Sequence, residues 1–427
     1  MNILITGASG FIGSQLVRTL QSRGHRITAC VRDPKRAARN LPGPTYLACD
    51  FRRDTHTTAW YPRLNEIDVV INAAGIIREH GNQRFDTLHR DAPIALFQAA
   101  AACGVQRVIQ ISALGADETA QSRYHLSKRA ADDFLEGLPI AGTILRPSIV
   151  YGPGGRSLAL FRALAALPFT PVVDDGRQKI QPIQVEDLVH AVTLCVENET
   201  PIRGRIDLPG AEPVTMLDLL GRLRRQLGLG RLRPVRIPYP VALRLAAWGG
   251  FLGEAPLNRE AVAMLQRGNI GDLSTCVARL GFRPRSLTQG LTETVATPAE
   301  RWYAGLYFLR PLLRISIALV WMIAGVTSAF LYPVPESFAL LAQVGIDGTL
   351  APLTLYTASG LDLLLGLATL LRFHLRAAGY VQITLILGYS LIVSIALPGF
   401  WLHPFGPLSK NLPLLVATLI MVVMERE

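Results

Sequence analysis

The sequence predicts an α/β protein with a doubly wound parallel sheet and a small second lobe, followed by an all-α region of four transmembrane helices. Three observations carry this. Short apolar segments alternate with helical ones through residues 1–150, which implies a parallel sheet covered on both faces. A glycine-rich turn, Gly7, Gly10 and Gly13, joins the first apolar segment to the first helix. After Arg314 charged residues thin out and apolar runs of membrane-crossing length follow.

The elements follow in order. Residues 2–6 read as a buried strand, and residues 11–23 as a helix closed by Gly24. Strands are expected at 25–31, 45–49, 68–72, 107–112 and 142–146, the last stopping at Pro147. Helices are expected at 86–103, ending at Gly104, and at 123–136. Beyond Tyr151 Pro and Gly become frequent, with helical stretches around 158–167, 185–196, 215–227 and 259–266. Residues 151–300 are therefore expected to form a lobe over the carboxyl ends of the strands, within a first domain of residues 1–300.

The second domain, residues 301–427, holds four apolar segments: 312–331, 353–371, 377–397 and 412–424. A membrane helix needs about 20 apolar residues. The first three qualify, and the fourth does so only if residues from 407 contribute. Arg310, Arg314, Arg372, Arg376 and Arg426 flank the ends that would share one side, whereas the opposite loops hold only Lys410 as a basic residue. The positive-inside rule then places the large domain and the C-terminus in the cytoplasm, around a multi-pass inner-membrane protein.

Charge narrows the partners. The 427 residues contain 39 Arg and four Lys, and the first 300 carry a net charge of +9. No basic run with interleaved aromatics appears, so nucleic acid is not an expected partner. The stretch Arg222, Arg224, Arg225, Arg231, Arg233 and Arg236 reads either as a solvated helix face and loop or as a surface resting on lipid headgroups. Cys30, Cys49, Cys103, Cys195 and Cys276 lack metal-ligand spacing, so no metal is expected, and the thiols are read as reduced and mostly buried. The first strand begins at Asn2, and no signal peptide is expected ahead of it.

The chemistry-bearing residues form a set. Thr6-Gly7-Ala8-Ser9-Gly10-Phe11-Ile12-Gly13 follows a strand and opens a helix. Glycine permits the tight turn and close backbone approach, and the helix start offers N–H groups to a pyrophosphate. That is the signature of a Rossmann-type dinucleotide site. The second strand ends in Val31-Arg32-Asp33. Arg32 suits a ribose 2′-phosphate, which favours NADP(H), while Asp33 keeps NAD(H) as the alternative. Asp50 is placed to contact the adenine or to close a turn. Ala73, Ala74 and Gly75 are small enough to let a flat cofactor lie close.

Ser112 follows the fifth strand, and Tyr124 and Lys128 lie four apart on one helix face. An ammonium beside a phenol is expected to lower its pKa, so that Tyr124 exchanges a proton with a carbonyl or alcohol. Lys128 would also hold the nicotinamide ribose, and Ser112 would polarise the substrate oxygen. A lysine here is notable in a chain whose basic residues are nearly all arginine.

These motifs, with Arg146-Pro147-Ser148-x-x-Tyr151-Gly152-Pro153, together resemble the extended and atypical short-chain dehydrogenases/reductases. The strings Ala74-Gly75-Ile76-Ile77-Arg78-Glu79 and Gln110-Ile111-Ser112-Ala113-Leu114-Gly115-Ala116 resemble the branch that includes the nucleotide-binding accessory subunit of respiratory complex I. The resemblance covers residues 1–290. It implies catalytic roles for Ser112, Tyr124 and Lys128, and a cofactor site lined by Gly7, Gly10, Gly13, Arg32 and Asp50. Pro147 and Ser148 would lie near the nicotinamide, and Asp187 takes the second lobe's acidic position. His89-Arg90-Asp91-Ala92-Pro93 departs from the family, which often has an Asn and a Gly-Thr turn there; the departure touches the proton relay.

The C-terminal region resembles DoxX-like four-helix domains. Its Asp362, between Gly360 and Gly366, reads either as a site for a polar headgroup or a proton, or as an interhelical hydrogen bond. The expected function is a membrane-anchored, NAD(P)-dependent oxidoreductase of a carbonyl or alcohol on a hydrophobic substrate, such as a quinone or lipid. Two alternatives stand beside it. One is a non-catalytic nucleotide-binding protein that senses redox state or assembles with membrane-complex subunits. The other is an NAD-dependent epimerase/dehydratase.

Overall fold

The computed structural model describes residues 1–248, 258–294 and 296–425. The chain divides into two compact units, Met1–Ala304 and Gly305–Glu427.

The first unit opens with β1 (Asn2–Thr6), α1 (Phe11–Ser22), β2 (Arg26–Val31), α2 (Pro34–Asn40), β3 (Thr45–Ala48) and β4 (Val69–Asn72). It continues with α3 (Ala92–Ala102), β5 (Arg107–Ile111), α4 (Arg123–Glu136) and β6 (Ala141–Pro147). The helix α2 lies outside the expected elements. Asp33 starts it, accepting a hydrogen bond from the Arg36 N–H at 3.0 Å, and Pro34 sets its first turn. The helix expected over 86–103 is in two parts: a π-helical turn at Asp86–Asp91, then α3. Pro93 accounts for the break. It has no N–H to return to the His89 carbonyl, and a wider turn absorbs the missing bond.

After β6 come β7 (Val150–Tyr151), α5 (Arg156–Ala166), β8 (Thr170–Val173), β9 (Lys179–Ile180), β10 (Ile183–Gln184), α6 (Val185–Glu197) and β11 (Gly204–Leu208). The chain here returns to the main sheet. β11 pairs with β6 and completes a seven-stranded parallel sheet of order β11-β6-β5-β4-β1-β2-β3. The helix α6 packs there too, with Val185, Leu188 and Val192 in the same buried cluster as Ile3, Ile5 and Leu16. β11 escapes the sequence because GRIDL is short, polar at alternate positions and opened by a glycine.

The remaining elements of this unit are β12 (Val214–Thr215), α7 (Met216–Gln226), β13 (Pro234–Ile237), α8 (Tyr239–Trp248), α9 (Arg259–Arg267), α10 (Ser274–Leu280) and α11 (Leu287–Glu293). Leu158, Leu219, Leu220, Leu223, Leu287 and Leu291 form the core of the smaller lobe. Part of the arginine-rich stretch is structural. Arg222 pairs with Asp218 at 2.8 Å, and Arg224 donates to the Ala165 and Leu167 carbonyls at 2.6 and 2.8 Å. Arg225, Arg231, Arg233 and Arg236 are exposed.

α12 (Pro298–Leu306) precedes the helical membrane region, which comprises α13 (Leu309–Val326), α14 (Val334–Gln343), α15 (Leu350–Leu371), α16 (Leu375–Ala396) and α17 (Asn411–Met424). Among the described residues, three stretches are long and apolar enough to cross a membrane: Leu309–Leu331, Leu350–Leu371 and Leu375–Ala396. The fourth apolar helix, Asn411–Met424, has 14 residues. Glycine sets the closest approach. A Cβ on Gly325 would stand 2.7 Å from the Ser359 carbonyl oxygen, and one on Gly366 would stand 2.9 Å from that of Ala318. These small residues bring the backbones of α13 and α15 together. The Asp362 Oδ1 beside them is buried with no hydrogen-bond partner among the described residues. Arg426 lies outside the described residues.

Candidate functional site

The carboxyl ends of β1, β4 and β5 carry a buried polar row. Thr6 Oγ1 donates to Asn72 Oδ1 at 2.5 Å, and Asn72 Nδ2 donates to Gln110 Oε1 at 2.7 Å. The three residues are register partners across the strands. This row satisfies polar groups in an otherwise apolar sheet and fixes where each strand ends.

The glycine turn starts from the first of these ends. Gly7 has φ +63°, and a Cβ on it would meet the Ala73 and Ala74 backbone at 2.8 Å. A Cβ on Gly13 would lie 2.2 Å from the Gly7 carbonyl oxygen. Both glycines are therefore dictated by the packing of the turn on α1 and on the segment after β4. Ser9 and Gly10 form its exposed apex, ahead of Phe11 and Ile12. Gly10 caps α1 without a side chain, and the first turn has no acidic residue. The N–H groups of the helix start thus face outward with no carboxylate competing for them, an arrangement that fits a dinucleotide pyrophosphate.

Around this turn the expected contacts separate. Arg32 is exposed just past β2, while the side chain of Asp33 is engaged as the α2 cap. Asp50 closes a turn. Its carboxylate accepts from the Arg52 N–H at 3.1 Å and pairs with the Arg52 guanidinium at 2.6 Å, which holds it below the usual carboxylate range. Pro147 and Ser148 are buried at the end of β6, and the Ser148 hydroxyl donates to the Gln181 carbonyl. Asp187, expected in the second lobe, lies in the first turn of α6 beside the main sheet, where it receives the Arg285 N–H at 2.8 Å and its Nε at 2.9 Å.

Lys128 and Ser112 lie at the end of β5, and Tyr124 stands one turn before Lys128 near the start of α4. Lys128 is buried, and its Nζ donates to the Ile111 carbonyl at 2.8 Å. Burial lowers this ammonium to about 8 against the opposing pull of Asp132. Ser112 Oγ donates to Asp132 Oδ2, a carboxyl that is 0% exposed. Burial raises Asp132 to about 7, although the Ser112 hydrogen bond and the Lys128 charge act the other way. Tyr124 is half-buried in a wall of rings formed by Phe85, His89 and His125. Desolvation pushes its phenol up to about 12, helped by the Asp132 and Glu260 carboxylates. This shift runs opposite to the expected lowering by Lys128. In this arrangement the Lys128 ammonium donates to the Ile111 carbonyl, and desolvation of the phenol dominates.

Sequence reasoning left two members of the site without a role. Asp132 is one helical turn beyond Lys128, on the same face; that spacing was the available signal. His89 is the other. The Ile76 N–H donates to His89 Nε2 at 3.0 Å, so Nδ1 carries the proton and donates to Ser127 Oγ at 3.1 Å. Ser127 Oγ donates in turn to the Tyr124 carbonyl at 2.8 Å. Burial, with the nearby Lys128 charge, holds the imidazole well below the usual histidine range. His89 thus ties the Gly75–Ile76 segment to the helix that carries Tyr124. A Cβ on Gly75 would stand 3.4 Å from both His89 Nε2 and Lys128 Nζ. The Tyr124 N–H itself is held by Glu260 of α9 at 2.9 Å.

Comparison with known proteins agrees with this fold. Residues 3–206 match the NAD dependent epimerase/dehydratase family, and residues 318–419 match the DoxX-like family. A ceramide reductase of Caulobacter vibrioides is 32% identical over 251 residues, which cover 57% of this chain and 76% of that one. The mitochondrial NADH dehydrogenase [ubiquinone] 1 alpha subcomplex subunit 9 of Arabidopsis thaliana is 29% identical over 259 residues. That match covers 58% of this chain and 63% of the relative, somewhat under two thirds of its length. Among solved structures, the UDP-glucuronic acid 4-epimerase of Bacillus cereus, in complex with UDP-glucuronic acid and NAD, superposes with a TM-score of 0.53 at 21% identity. It covers 71% of this chain and 99% of its own, a likeness of fold. The family match over residues 3–206 and the 32% identical relative make this chain a member of the NAD dependent epimerase/dehydratase family, fused to a DoxX-like helical domain.

Proposed function

We propose that this chain is a membrane-anchored, NADP(H)-preferring reductase of a ketone carried by a hydrophobic, membrane-associated molecule, lipid-like or quinone. What supports the reading is the placement of Lys128 and Ser112 at the end of β5, through the Ile111 carbonyl and the Asp132 carboxyl, with Tyr124 one turn before Lys128 on α4, in a chain with three apolar helices of membrane-crossing length among the described residues. The ceramide reductase relative supports a lipid-like substrate. Arg32, exposed beside an Asp33 already used as a helix cap, supports a 2′-phosphate.

A bound nicotinamide cofactor supplies the hydride to the carbonyl carbon, and the chain supplies the proton. Tyr124 delivers its phenolic proton to the carbonyl oxygen as the alcohol forms. A phenol held at about 12 keeps that proton at neutral pH, the state that reduction requires. Lys128 presents positive charge beside Gly75, where it stabilises the phenolate left behind and orients the ribose. Ser112, whose hydroxyl donates to Asp132, turns that proton to the substrate oxygen when Asp132 is protonated. In this topology the domain, the connection between α15 and α16 and the C-terminus face the cytoplasm. Asp362 is proposed as the polar contact of the membrane region, for a headgroup or a proton.

Nicotinamide oxidation by detergent-purified protein tests the proposal, with NADPH or NADH and either a short-chain quinone or a total lipid extract. Wild type should consume NADPH, and Tyr124→Phe should lose ~10²–10⁴-fold in rate while nucleotide affinity is retained. Equal rates in both proteins overturn it. A second reading, a non-catalytic nucleotide-binding protein of a membrane assembly, draws on the buried His89 and the mitochondrial relative. It requires Tyr124→Phe to leave function intact while Gly10→Asp abolishes it.

A further inference from the structure

The helix that carries Tyr124 does not complete its own first turn. The leading N–H groups of any helix lack acceptors within it. In α4 the Ser122 hydroxyl accepts from the His125 N–H at 3.2 Å, and the Leu126 N–H returns to the Ser122 carbonyl at 3.0 Å. The Tyr124 N–H therefore needs an acceptor from outside the helix. Glu260 supplies it at 2.9 Å, from 136 residues away in sequence. A glutamate in a first turn ordinarily serves its own helix by complementing the dipole. In α9 that end is already capped by Asn258, which accepts from the Ala261 N–H at 2.6 Å. The Glu260 carboxylate instead reaches across to α4.

The carbonyl of the same residue is held from the other side. Ser127 Oγ donates to it at 2.8 Å, and His89 Nδ1 lies 3.1 Å from that oxygen. The backbone of Tyr124 is thus gripped twice, at its N–H by the smaller lobe and at its carbonyl through Ser127 and His89. The helix that provides the first grip is itself fixed. Leu265 packs on the core of the smaller lobe, and Val262, 2% exposed, packs with Ala242 and Ala246 of α8. Arg267 donates to Thr119 Oγ1 in the segment after β5, and Gln266 Nε2 donates to Asp174 at 3.2 Å. Just beyond α9, Asn269 accepts the Ile149 N–H at 2.9 Å through its side chain.

We infer that Glu260 is a positioning residue, which holds the Tyr124 N–H so that the smaller lobe, and not the sheet alone, sets where the phenol stands. The inference deepens the reductase reading and rests on Tyr124 as its proton donor. Proton transfer needs the phenol within hydrogen-bond reach of the substrate oxygen, and a displacement of about 1 Å can cost on the order of 100-fold in rate. The Tyr124 ring is walled by Phe85, His89 and His125. Its side chain therefore has little room to correct a shift of the turn that carries it. After burial and Asp132, the Glu260 charge also favours the protonated phenol, the form that gives its proton during reduction.

The test uses full-length protein in detergent, with NADPH and a short-chain quinone. Loss of one hydrogen bond to a charged group should lower kcat about tenfold in Glu260→Ala. KM for NADPH should stay unchanged, because no residue of the glycine turn is touched. In Glu260→Gln the amide oxygen can still accept the Tyr124 N–H, so most of kcat should return. Arg259→Ala, at the exposed neighbour on α9, should match wild type. Amide hydrogen exchange at Tyr124 is read in parallel and needs no substrate. Its protection should fall about tenfold in Glu260→Ala and persist in Glu260→Gln, the variant that keeps the test decisive if the alanine does not fold. Full kcat in Glu260→Ala, a KM that rises as kcat falls, no recovery in Glu260→Gln, or unchanged protection at Tyr124 each overturns the inference. Absence of turnover in wild type counts against the reductase instead, and exchange at Tyr124 then decides by itself whether Glu260 holds the turn.

Discussion

Ser112 donates its hydroxyl proton to the buried carboxyl of Asp132. While Asp132 is ionised, that proton is held away from a substrate oxygen. Once Asp132 is protonated it can donate to Ser112 instead, and the serine proton turns outward. With Asp132 raised to about 7 by burial, kcat/KM for reduction should fall as pH rises through that value. In Asp132→Asn the amide can donate to Ser112 at every pH, so the limb near 7 should vanish and leave the one set by Lys128 near 8. A pH–rate profile from 5.5 to 9 (roughly the window these pKa values define) decides the matter. An unchanged limb in the variant would remove Asp132 from the proton inventory.

The same carboxyl makes a stability prediction of definite sign. Its folded pKa lies above the unfolded value of about 4, so between about 4 and about 7 the folded chain binds more protons than the unfolded one. Stability from this group is therefore lost as pH rises through that window. Relative to wild type, Asp132→Asn should gain on the order of a few kcal/mol on going from pH 5 to pH 8. Melting temperatures of the two proteins at both pH values measure it. Comparing the difference between proteins cancels groups such as Glu197, which Arg23 holds down at about 2 and which acts in the opposite direction.

His89 should behave as a brace for the site. In His89→Ala the Ile76 N–H and the Ser127 hydroxyl both lose a partner, and a buried donor left unsatisfied costs about 1–3 kcal/mol. The segment after β4 should loosen, so nucleotide affinity and turnover should fall together. His89→Asn, shorter but able to accept and donate, should restore part of both. Amide hydrogen exchange at Ile76 reads the brace directly. Unchanged protection in His89→Ala would contradict it.

Much of the fold was legible because its signals are local. The strand β1, the turn Gly7–Gly13 and the helix α4 depend on runs and spacings that no distant residue overrides. Within the candidate site, what was legible was local spacing, such as Tyr124 and Lys128 four apart on α4. What escaped depends on contacts far apart in sequence. β11 is a strand because β6 offers it an edge 61 residues away in the Arg146–Asp207 pairing. The engagement of Ser112 with Asp132, 20 residues on, follows from how α4 lies on the sheet. The upward shift of Tyr124 follows from burial, which periodicity does not report.

Gly13 offers a test of the turn itself. A methyl group there would lie 2.2 Å from the Gly7 carbonyl oxygen, a contact that backbone must move to relieve. Gly13→Ala should therefore displace the turn from α1 and abolish nucleotide binding. Gly24→Ala, at a glycine of φ +86° with nothing within 4 Å, should cost only the local strain of about 1 kcal/mol and leave binding intact. Titration of NADPH fluorescence with both variants separates the two effects. Retained binding in Gly13→Ala would mean that the turn does not hold the pyrophosphate.

Cofactor choice should turn on Arg32. It stands exposed beyond β2, and the neighbouring Asp33 carboxylate is already occupied by the Arg36 N–H. An arginine in that place can form charge-assisted hydrogen bonds with a 2′-phosphate, each worth about 1.5–3 kcal/mol. Arg32→Glu replaces that attraction with repulsion, so NADPH affinity should drop at least about tenfold. NADH has no phosphate at that position, and the new carboxylate can accept from its free 2′-hydroxyl. Its affinity should therefore hold or rise, and the ratio of the two dissociation constants should invert. Calorimetric titration of both nucleotides into both proteins gives that ratio. If it stays constant, the 2′ position lies away from Arg32, and the preference for NADP(H) loses its structural support.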